Sequence, residues 1–187
     1  MGEIHATMNL SLDGCCDHCY VVADDEFHER ISDVFEPYSA LLFGRTTYDL
    51  LHGYWPNVAL GGDATPGVLR LAQILDEKIK YVVTSRALAP AWNARRATPT
   101  QDEIRTLRDE VGGNVLLVAS PTLARPLLQW GLVSEYHIAV SPMVAGHGPH
   151  FLEGLKEDVP PMLLDVTRLR SGVLFLRYCF GGQRDAA

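Results

Sequence analysis

Apolar and polar positions alternate with two different periods along this chain, and the periods predict strands followed by helices. The segment from Ile4 to Leu12 approximates a period of two, which is typical of a strand. From Asp24 to Phe35 the apolar residues recur three and four positions apart, which predicts a helix that Pro37 ends. Residues Ala40 to Phe43 form a continuous apolar run, typical of a strand buried on both faces.

The same two patterns continue almost to the end of the chain. Further helices are predicted to begin after Thr46, Thr65, Thr100 and Ser120; Thr65-Pro66 resembles a helix start, and Thr100 has capping-box spacing. Ser171-Gly172 predicts a two-residue hairpin turn between the last two strands. The later strands are predicted at residues 80–83, 94–97 (a weaker pattern), 115–118, 136–140, 162–170 and 173–178.

This order of elements predicts the architecture. Strands that alternate with helices imply an α/β fold with a mixed, mostly parallel sheet flanked by helices, and the closing pair adds an antiparallel hairpin. We find no linker, so residues 1–187 are interpreted as a single domain. The Gly61-Gly62-Asp63 stretch is expected to be a flexible loop, and the last few residues are expected to be disordered.

Charge and composition narrow the class of protein. The formal net charge is −7 and the basic residues are scattered, so a nucleic-acid partner is not expected. No apolar run is long enough to cross a membrane, and the first residues lack the layout of a signal peptide. We therefore expect a cytoplasmic protein with a small-molecule substrate and no membrane partner.

Three of the four cysteines, Cys15, Cys16 and Cys19, fall within five residues and surround His18. Structural zinc sites usually pair such a group with a second, distant pair of ligands, for which only Cys179 and scattered histidines are available. Loop cysteines are therefore the favoured interpretation, and no metal site is predicted. A metal protein centred on this cluster remains the alternative.

Hydroxyl and basic side chains follow three of the buried strands. These strand ends are Gly44-Arg45-Thr46-Thr47, Thr84-Ser85-Arg86 and Ala119-Ser120-Pro121-Thr122. Ligands of α/β sheets bind where strands end and helix N-termini begin, and arginine can hold a phosphate in a fork. Each segment alone could be an ordinary turn with an N-cap, but together they favour a phosphorylated ligand such as NADPH. The chain has neither a P-loop motif nor a G-x-G-x-x-G motif after its first strand.

The chain resembles the dihydrofolate-reductase-like superfamily, in the branch similar to the reductase (C-terminal) domain of bifunctional riboflavin-biosynthesis deaminase/reductases. The resemblance spans nearly the whole chain. It rests on these segments in this order: Ser11-Leu12-Asp13-Gly14, Phe43-Gly44-Arg45-Thr46-Thr47-Tyr48, Tyr54-Trp55-Pro56, Thr84-Ser85-Arg86, Gly131-Leu132-Val133-Ser134-Glu135 and Pro142-Met143-Val144-Ala145-Gly146-His147-Gly148.

The resemblance implies a dihydrofolate-reductase-like fold, a homodimer and NADPH as cofactor. It implies three groups of cofactor contacts, to the pyrophosphate and 2′-phosphate region, to the adenosine 2′-phosphate, and to the pyrophosphate or nicotinamide ribose. For the first region, pyrophosphate and 2′-phosphate, the residues are Gly44, Arg45, Thr46 and Thr47. For the adenosine 2′-phosphate they are Ser85 and Arg86, and for the pyrophosphate or nicotinamide ribose they are Ala119, Ser120, Thr122 and Leu123. Ala119-Ser120 departs from the family, which commonly has Gly-Gly or Gly-Ser there, and a methyl group at this turn is expected to crowd a diphosphate.

Asp13 and Asp25 are the carboxylates expected to act as proton donor or substrate anchor, the catalytic candidates. Asp25 begins the helix that carries the acid in the folate enzymes. Their structural alternatives are a turn residue for Asp13 and a helix-dipole partner for Asp25. Tyr54, Trp55 and Met143 are expected to wall the substrate pocket, or else to be core residues.

The leading hypothesis is an NADPH-dependent oxidoreductase that transfers hydride directly to a small heterocyclic or carbonyl substrate, such as a pterin or pyrimidine. The alternative is a non-catalytic dinucleotide or small-molecule binding protein on the same fold, which the Ala119 departure motivates.

Overall fold

The structure is a computed structural model, and it describes residues 2–60, 63–155 and 160–180. The expected disorder of the last few residues therefore lies outside the described residues, as do Gly61 and Gly62 of the expected flexible loop. Helices and strands follow the predicted order. The helices are α1 (Asp25–Phe35), α2 (Arg45–His52), α3 (Pro66–Glu77), α4 (Gln101–Glu110) and α5 (Pro121–Gln129). The strands are β1 (Ile4–Ser11), β2 (Ala40–Gly44), β3 (Ile79–Val83), β4 (Ala94–Ala97), β5 (Val115–Val118), β6 (Val133–Ser141), β7 (Met162–Arg168) and β8 (Leu174–Cys179).

The eight strands form one sheet in the order β4-β3-β2-β5-β1-β6-β8-β7. Every pair from β4 to β6 is parallel, whereas β8 runs antiparallel to both β6 and β7. The predicted α/β fold, with a mostly parallel sheet and a C-terminal antiparallel hairpin, is confirmed.

Each face of the sheet carries its own apolar core. One core packs α4 and α5 against the sheet through Ile104, Leu107, Leu123 and Leu127. The other packs α1 and α3 through Phe27, Ile31, Leu71 and Leu75, and includes Tyr48 of α2. This arrangement explains why β2 and β5 are continuous apolar runs, because both of their faces are covered.

Helix starts follow the predicted chemistry at two places. The Asp24 side chain accepts a hydrogen bond from the Phe27 N–H at 2.8 Å, and Thr100 accepts one from the Glu103 N–H at 3.3 Å. Thr65 is the N-cap residue of α3, but its side chain does not cap the helix. The Asp25 carboxylate accepts from the Gly67 N–H of α3 instead, at 2.8 Å.

Four local predictions differ from the structure. The turn after β7 is not a two-residue hairpin: the Leu169 N–H bonds the Val173 carbonyl and Gly172 has φ +88°, the geometry of a three-residue turn with a left-handed glycine. Helix α2 begins at Arg45, before the predicted start, and residues Trp55–Leu60 form a 3-10 helix in the predicted loop. Strand β6 begins at Val133, three residues early, because Val133 and Glu135 already pair with Ile4 and His5 of β1.

Candidate functional site

A crevice opens between the N-termini of α2 and α5. These helices follow the neighbouring strands β2 and β5, and they pack against opposite faces of the sheet. Neither helix start has a side-chain cap. The first N–H groups of a helix have no partner within the helix, so both starts present donors and the positive end of a helix dipole. In open α/β sheets such a divergence of helices marks the ligand site.

Ser120 connects the two helix starts. Its Oγ accepts a hydrogen bond from the Gly44 backbone N–H at 2.8 Å. The same hydroxyl lies 2.9 Å from Thr47 Oγ1 and 3.1 Å from the Val118 carbonyl, and it can donate its hydrogen to either. A Cβ at Gly44 would lie 3.2 Å from this oxygen, so the close approach depends on glycine. Ser120 is thus a positioning residue for the turn that begins α2.

The turn before α5 has an unusual backbone. Ala119 has φ +48° and Ser120 has φ +60°, both in the left-handed region that favours glycine. A glycine at either position would adopt such a φ without steric cost, which gives a conformational reason for the glycines that are common in the family at this turn. Here alanine and serine adopt this left-handed conformation at a steric cost of about 1–2 kcal/mol per residue.

The crevice contains a cavity of about 570 Å³. Seven of the ten predicted cofactor residues line it: Gly44, Arg45, Thr46, Thr47, Ser120, Thr122 and Leu123. Pro121, which the sequence marked as part of the third strand-end turn, also lines the cavity. Sequence reasoning did not find the other four lining residues, Val83, Pro99, Pro126 and Trp130. Among the described residues that line this cavity, Arg45 is the one with a charged side chain. The lining therefore suits an anion.

Arg45 is held in place before any ligand binds. Its Nε donates to both carboxylate oxygens of Asp49, at 2.7 and 2.9 Å, and its Nη1 donates to the Ala87 carbonyl at 3.0 Å. Because a guanidinium has five N–H donors, these contacts leave others for a ligand. The bond to Ala87 also attaches Arg45 to the loop that follows β3.

Ser85 and Arg86 are exposed at the end of β3, outside the lining of this cavity. Gly44 pairs with Val83 across β2 and β3, so both strands end at the same edge of the sheet. The Arg86 N–H donates to Thr84 Oγ1 at 3.1 Å, which shapes the turn. Ala119, which is also absent from the lining, acts through the backbone of the α5 turn.

Asp13 anchors a loop. Its Oδ1 accepts from the Ser11 hydroxyl at 2.6 Å and the Ala145 N–H at 3.0 Å, while Oδ2 accepts from the Gly146 N–H at 2.8 Å. These bonds, with Ser11 first, hold the pKa of the Asp13 carboxyl far below its usual range. A carboxylate so stabilised is poorly suited to donate a proton, and its expected catalytic role stays a prediction.

Asp25 joins two helices. Besides the bond from Gly67, it is hydrogen-bonded to the Thr65 side chain, and these bonds, Thr65 first, lower the pKa of the Asp25 carboxyl. A Cβ at Gly67 would lie 2.6 Å from Asp25 Oδ1, so α1 and α3 approach closely here. Like Asp13, Asp25 is ionised and bonded at neutral pH, so its expected proton-donor role also stays a prediction.

The expected substrate-pocket residues are dispersed. Tyr54 is 60% exposed and lines a different cavity, of about 490 Å³, beside the start of α3. Trp55 packs edge-on against Tyr54 and His28, with ring centroids 5.3 and 6.1 Å apart. Met143 is half-exposed, and its carbonyl accepts from the Leu12 N–H at 2.7 Å. Met143 and Leu12 thus join the strand end at Asp13 to the loop that Asp13 anchors.

Asn9 on β1 is a candidate that sequence reasoning missed. Its Oδ1 is buried and has no hydrogen-bond partner among the described residues. A buried amide oxygen without a partner is costly, and it points to a ligand or water that would satisfy it. Asn9 lies two residues from the end of β1. In the sequence, Asn9 is only one of the polar positions of an alternating strand pattern. That pattern does not distinguish an amide that faces a ligand from any other polar strand residue.

The cysteine cluster does not assemble as one group. Cys15 is buried and its backbone bridges to His150, whereas Cys19 is exposed on the 3-10 helix His18–Tyr20. Asp17, His18 and Cys19 bring potential ligand atoms within 4.8 Å of one another, without Cys15 or Cys16.

Within the described residues, no helix has the length and apolar character needed to cross a membrane.

Comparisons with known proteins agree with this geometry. The family model described as RibD C-terminal domain matches residues 3–175. An uncharacterized protein of Bacillus subtilis, YyaP, is 23% identical over 171 residues, which cover 90% of this chain and 86% of that protein.

Solved structures share the fold. A riboflavin biosynthesis protein (so described provisionally) from Shewanella sp. PV-4 superposes with a TM-score of 0.69 at 16% identity, covering 96% of this chain and 98% of that one. A pyrimidine reductase-like protein from Corynebacterium diphtheriae gives 0.66 at 12% identity, covering 97% and 93%. For the RibD protein of Acinetobacter baumannii the TM-score is 0.68 at 17% identity, with 96% of this chain but 58% of that protein covered.

The dihydrofolate-reductase-like resemblance is thus confirmed, and the match over residues 3–175 shows that this chain belongs to the RibD C-terminal domain family.

Proposed function

We propose that this protein is a reductase that uses NADPH to reduce a small, pyrimidine-like heterocycle. The observation that carries the proposal is the convergence of the α2 and α5 N-termini on one cavity, connected by the bond between Ser120 and Gly44. Membership of the RibD C-terminal domain family supports the reductase class.

A further structural relative supports the substrate class. This Thermotoga maritima protein is described as a diaminohydroxyphosphoribosylaminopyrimidine deaminase and 5-amino-6-(5-phosphoribosylamino)uracil reductase, and it superposes with a TM-score of 0.64 at 14% identity. Its described reductase activity acts on a substituted uracil, so a pyrimidine-like ring is the class of substrate that we propose for this chain.

The residues present fit a nicotinamide dinucleotide. Two uncapped helix starts, the hydroxyls of Thr46 and Thr47, and the Arg45 guanidinium face a cavity whose described lining has no carboxylate. Backbone N–H groups at helix starts bind phosphates well, so the pyrophosphate is assigned to this cavity. The exposed Ser85 and Arg86 at the adjacent strand end are assigned to the 2′-phosphate. Bound NADPH supplies a hydride, and the chain supplies position and charge.

On the substrate side, the described chain offers acceptors rather than acids. Asn9 Oδ1 would accept a hydrogen bond from a ring N–H, which suits a pyrimidine-like heterocycle. The Asp13 carboxylate holds residues 145–146 in place, and so shapes the loop beside the end of β1. We propose Asp13 and Asp25 as charged positioning groups. Met143 lies beside the loop that Asp13 anchors, whereas Tyr54 and Trp55 lie by the separate 490 Å³ cavity, so only Met143 is proposed for the rim of the substrate side.

A second candidate is a dinucleotide-binding protein without turnover. Two observations favour it: the strained Ala119-Ser120 turn and the ionised state of both expected proton donors. This candidate predicts saturable NADPH binding with no oxidation of NADPH across a panel of pyrimidine, pterin and carbonyl compounds.

The test begins with fluorescence titrations of NADPH and NADH. The wild type is expected to prefer NADPH, and Arg86→Ala is expected to weaken NADPH binding about 10-fold while NADH binding is unchanged, because a charge-assisted hydrogen bond contributes roughly 1.5–3 kcal/mol. Arg95→Ala, which removes an exposed arginine of β4, is the matched control and should bind both nucleotides normally. Absence of NADPH binding at millimolar concentration would contradict both candidates, whereas binding without turnover would leave only the second.

A further inference from the structure

Two histidines and a glutamate gather on the other half of the sheet from the proposed cofactor site. They are His5 of β1, and Glu135 and His137 of β6. His5 and Glu135 are partners in the parallel pairing of β1 with β6, and Glu135 and His137 are two residues apart. Residues at these register positions lie on one face of a sheet, so the strand pairing itself brings the three side chains together.

The distances are those of a ligand set. One potential ligand atom from each residue lies within 4.8 Å of the other two. His5 is 9% exposed, and Glu135 and His137 are half-buried. Two imidazoles with one carboxylate are the ligands of three-coordinate protein sites for zinc, in which water completes the tetrahedron.

Hydrogen bonds around His5 and His137 hold both rings in place. His5 Nε2 lies 3.0 Å from Glu3 Oε2, and a carboxylate partner on one ring nitrogen is typical of metal-binding histidines. The Tyr38 hydroxyl lies 2.7 Å from His5 Nδ1 and 3.1 Å from His137 Nε2. The Tyr38 oxygen therefore lies beside both ring nitrogens that could share a cation, and binding would replace these two hydrogen bonds.

The surrounding charge is compatible with a cation. A cavity of about 450 Å³ adjoins the three residues, and its lining contains the carboxylates of Asp33, Glu135 and Asp165 against Arg30 and Arg177. Arg30 lies 3.9 Å from Asp165, and Arg177 lies 3.9 Å from Glu135. At that separation Glu135 is not hydrogen-bonded to Arg177, so its carboxylate can turn toward a metal at little cost.

We propose that His5, Glu135 and His137 bind one divalent transition-metal ion, with Zn²⁺ as the ion that best suits this donor set. The site departs from the expectation, drawn from sequence, of no metal. It is distinct from the cysteine cluster, because no thiol belongs to it. Its open fourth position faces the 450 Å³ cavity, where a water or a small anion would complete the coordination.

The test uses the full chain, purified without a histidine tag, stripped with a chelator and titrated with CoCl₂. One equivalent of Co²⁺ should bind with d–d absorption bands and without a thiolate-to-cobalt charge-transfer band. His137→Gln and Glu135→Gln should each weaken binding at least 10-fold. His150→Gln, which removes an exposed histidine elsewhere, and Cys19→Ser should both bind like the wild type.

Thermal unfolding with and without ZnCl₂ gives a second readout that does not depend on cobalt absorption. Zinc should raise the Tm of the wild type and of His150→Gln, but not that of His137→Gln, provided circular dichroism shows that this variant is folded. Absence of stoichiometric binding, unchanged binding by folded His137→Gln, or a thiolate band would each overturn the proposal. The NADPH titrations are independent of these outcomes, so either proposal can fail alone.

Discussion

Ser120 Oγ accepts a hydrogen bond from the backbone N–H of Gly44 at 2.8 Å, and this contact, with the one to Thr47 Oγ1 at 2.9 Å, joins the starts of α2 and α5. Ser120→Ala would leave the Gly44 N–H without its partner. We expect a loss of about 1–3 kcal/mol in the free energy of unfolding and weaker NADPH binding, because the two helix starts would no longer be held together. Urea denaturation and fluorescence titration measure the two effects.

Ser32→Ala is the matched control for this variant. Ser32 is equally buried, but its hydroxyl donates to the His28 carbonyl within α1 at 2.7 Å. It should lower stability without changing NADPH affinity. Equal losses of affinity in the two variants would refute a specific role for Ser120.

Ala119→Gly should stabilise the protein and strengthen NADPH binding. The left-handed φ of +48° costs an alanine about 1–2 kcal/mol, and this gain exceeds the added entropy of a glycine in the unfolded chain. Ala119 acts on the proposed cofactor site through the backbone of this turn, so a turn without strain is expected to bind a pyrophosphate better. Ala124→Gly, in the interior of α5, should instead destabilise by about 1 kcal/mol. A destabilised Ala119→Gly variant would show that the turn does not strain alanine.

Asp13→Asn should loosen the loop at residues 145–146 and reduce stability at neutral pH. The folded-state pKa of Asp13 lies below its unfolded value, so its contribution is present at neutral pH and disappears as the pH falls through the folded pKa. The stability difference between wild type and variant should therefore shrink in acid. Asp63→Asn, an exposed aspartate beside the start of α3, is the control. A difference that grew in acid would contradict the role of the carboxylate as an anchor.

Lys80 gives the protein an alkaline dependence. Its side chain is fully buried, with Nζ 2.8 Å from the Lys78 carbonyl and 4.4 Å from the ring centre of Trp92, and burial lowers the pKa of Lys80 to about 8. Between this pKa and the unfolded value of 10.5, the unfolded chain binds more protons, so Lys80 makes stability rise with pH.

Lys80→Met isolates the effect. Relative to this variant, the wild type should gain on the order of 3 kcal/mol as the pH rises through that window, as followed by urea denaturation. Arg95→Met removes an exposed cation on the next strand, and the pH dependence of its free energy of unfolding should be the same as that of the wild type. A flat difference for Lys80→Met would mean that the lysine is already solvated in the folded state.

The homodimer that the family resemblance implies remains a proposal, and β7 is the surface that we assign to it. This edge strand exposes Met162, Leu163, Leu164 and Val166, and an unpaired strand edge can pair with a second copy. Val166→Lys should shift the protein toward monomer in analytical ultracentrifugation. Leu69→Lys, an equally apolar exposed site on α3, should not. A monomeric wild type would refute the assignment.

The sequence patterns predicted the elements well because periodicity and capping are local. The run from Ala40 to Phe43 and the capping pair of Thr100 and Glu103 report their structure directly. The proximity of the Gly44 and Ser120 turns could be predicted, because strand ends in a parallel sheet meet at one edge, whereas their role in cofactor binding stays a prediction. The contact between Ser120 and Gly44 could not be predicted, because it depends on β5 lying beside β2, an order that no local pattern encodes.

Long-range contacts also explain what sequence reasoning missed. His5 and His137 are 132 positions apart, and only strand register brings them together. Lys80 lies in an apolar run, but no local sequence pattern predicts that the Trp92 ring covers its ammonium group. The catalytic role predicted for Asp13 and Asp25 stays a prediction, and their observed partners could not be predicted, because the backbone N–H groups that they bind belong to distant segments.

The hydrogen bonds of the loop that Asp13 anchors limit how the proposed substrate side of this protein can change. Backbone hydrogen bonds join Leu12 to Met143, Cys16 to Pro149 and Gly14 to Phe151. The segments 12–16 and 143–151 are therefore hydrogen-bonded to each other at several points. An insertion in one segment would shift these partners out of register in the other. A change of this loop, by evolution or by design, therefore has to remodel both segments at once, and loop grafts from relatives should be exchanged as a pair.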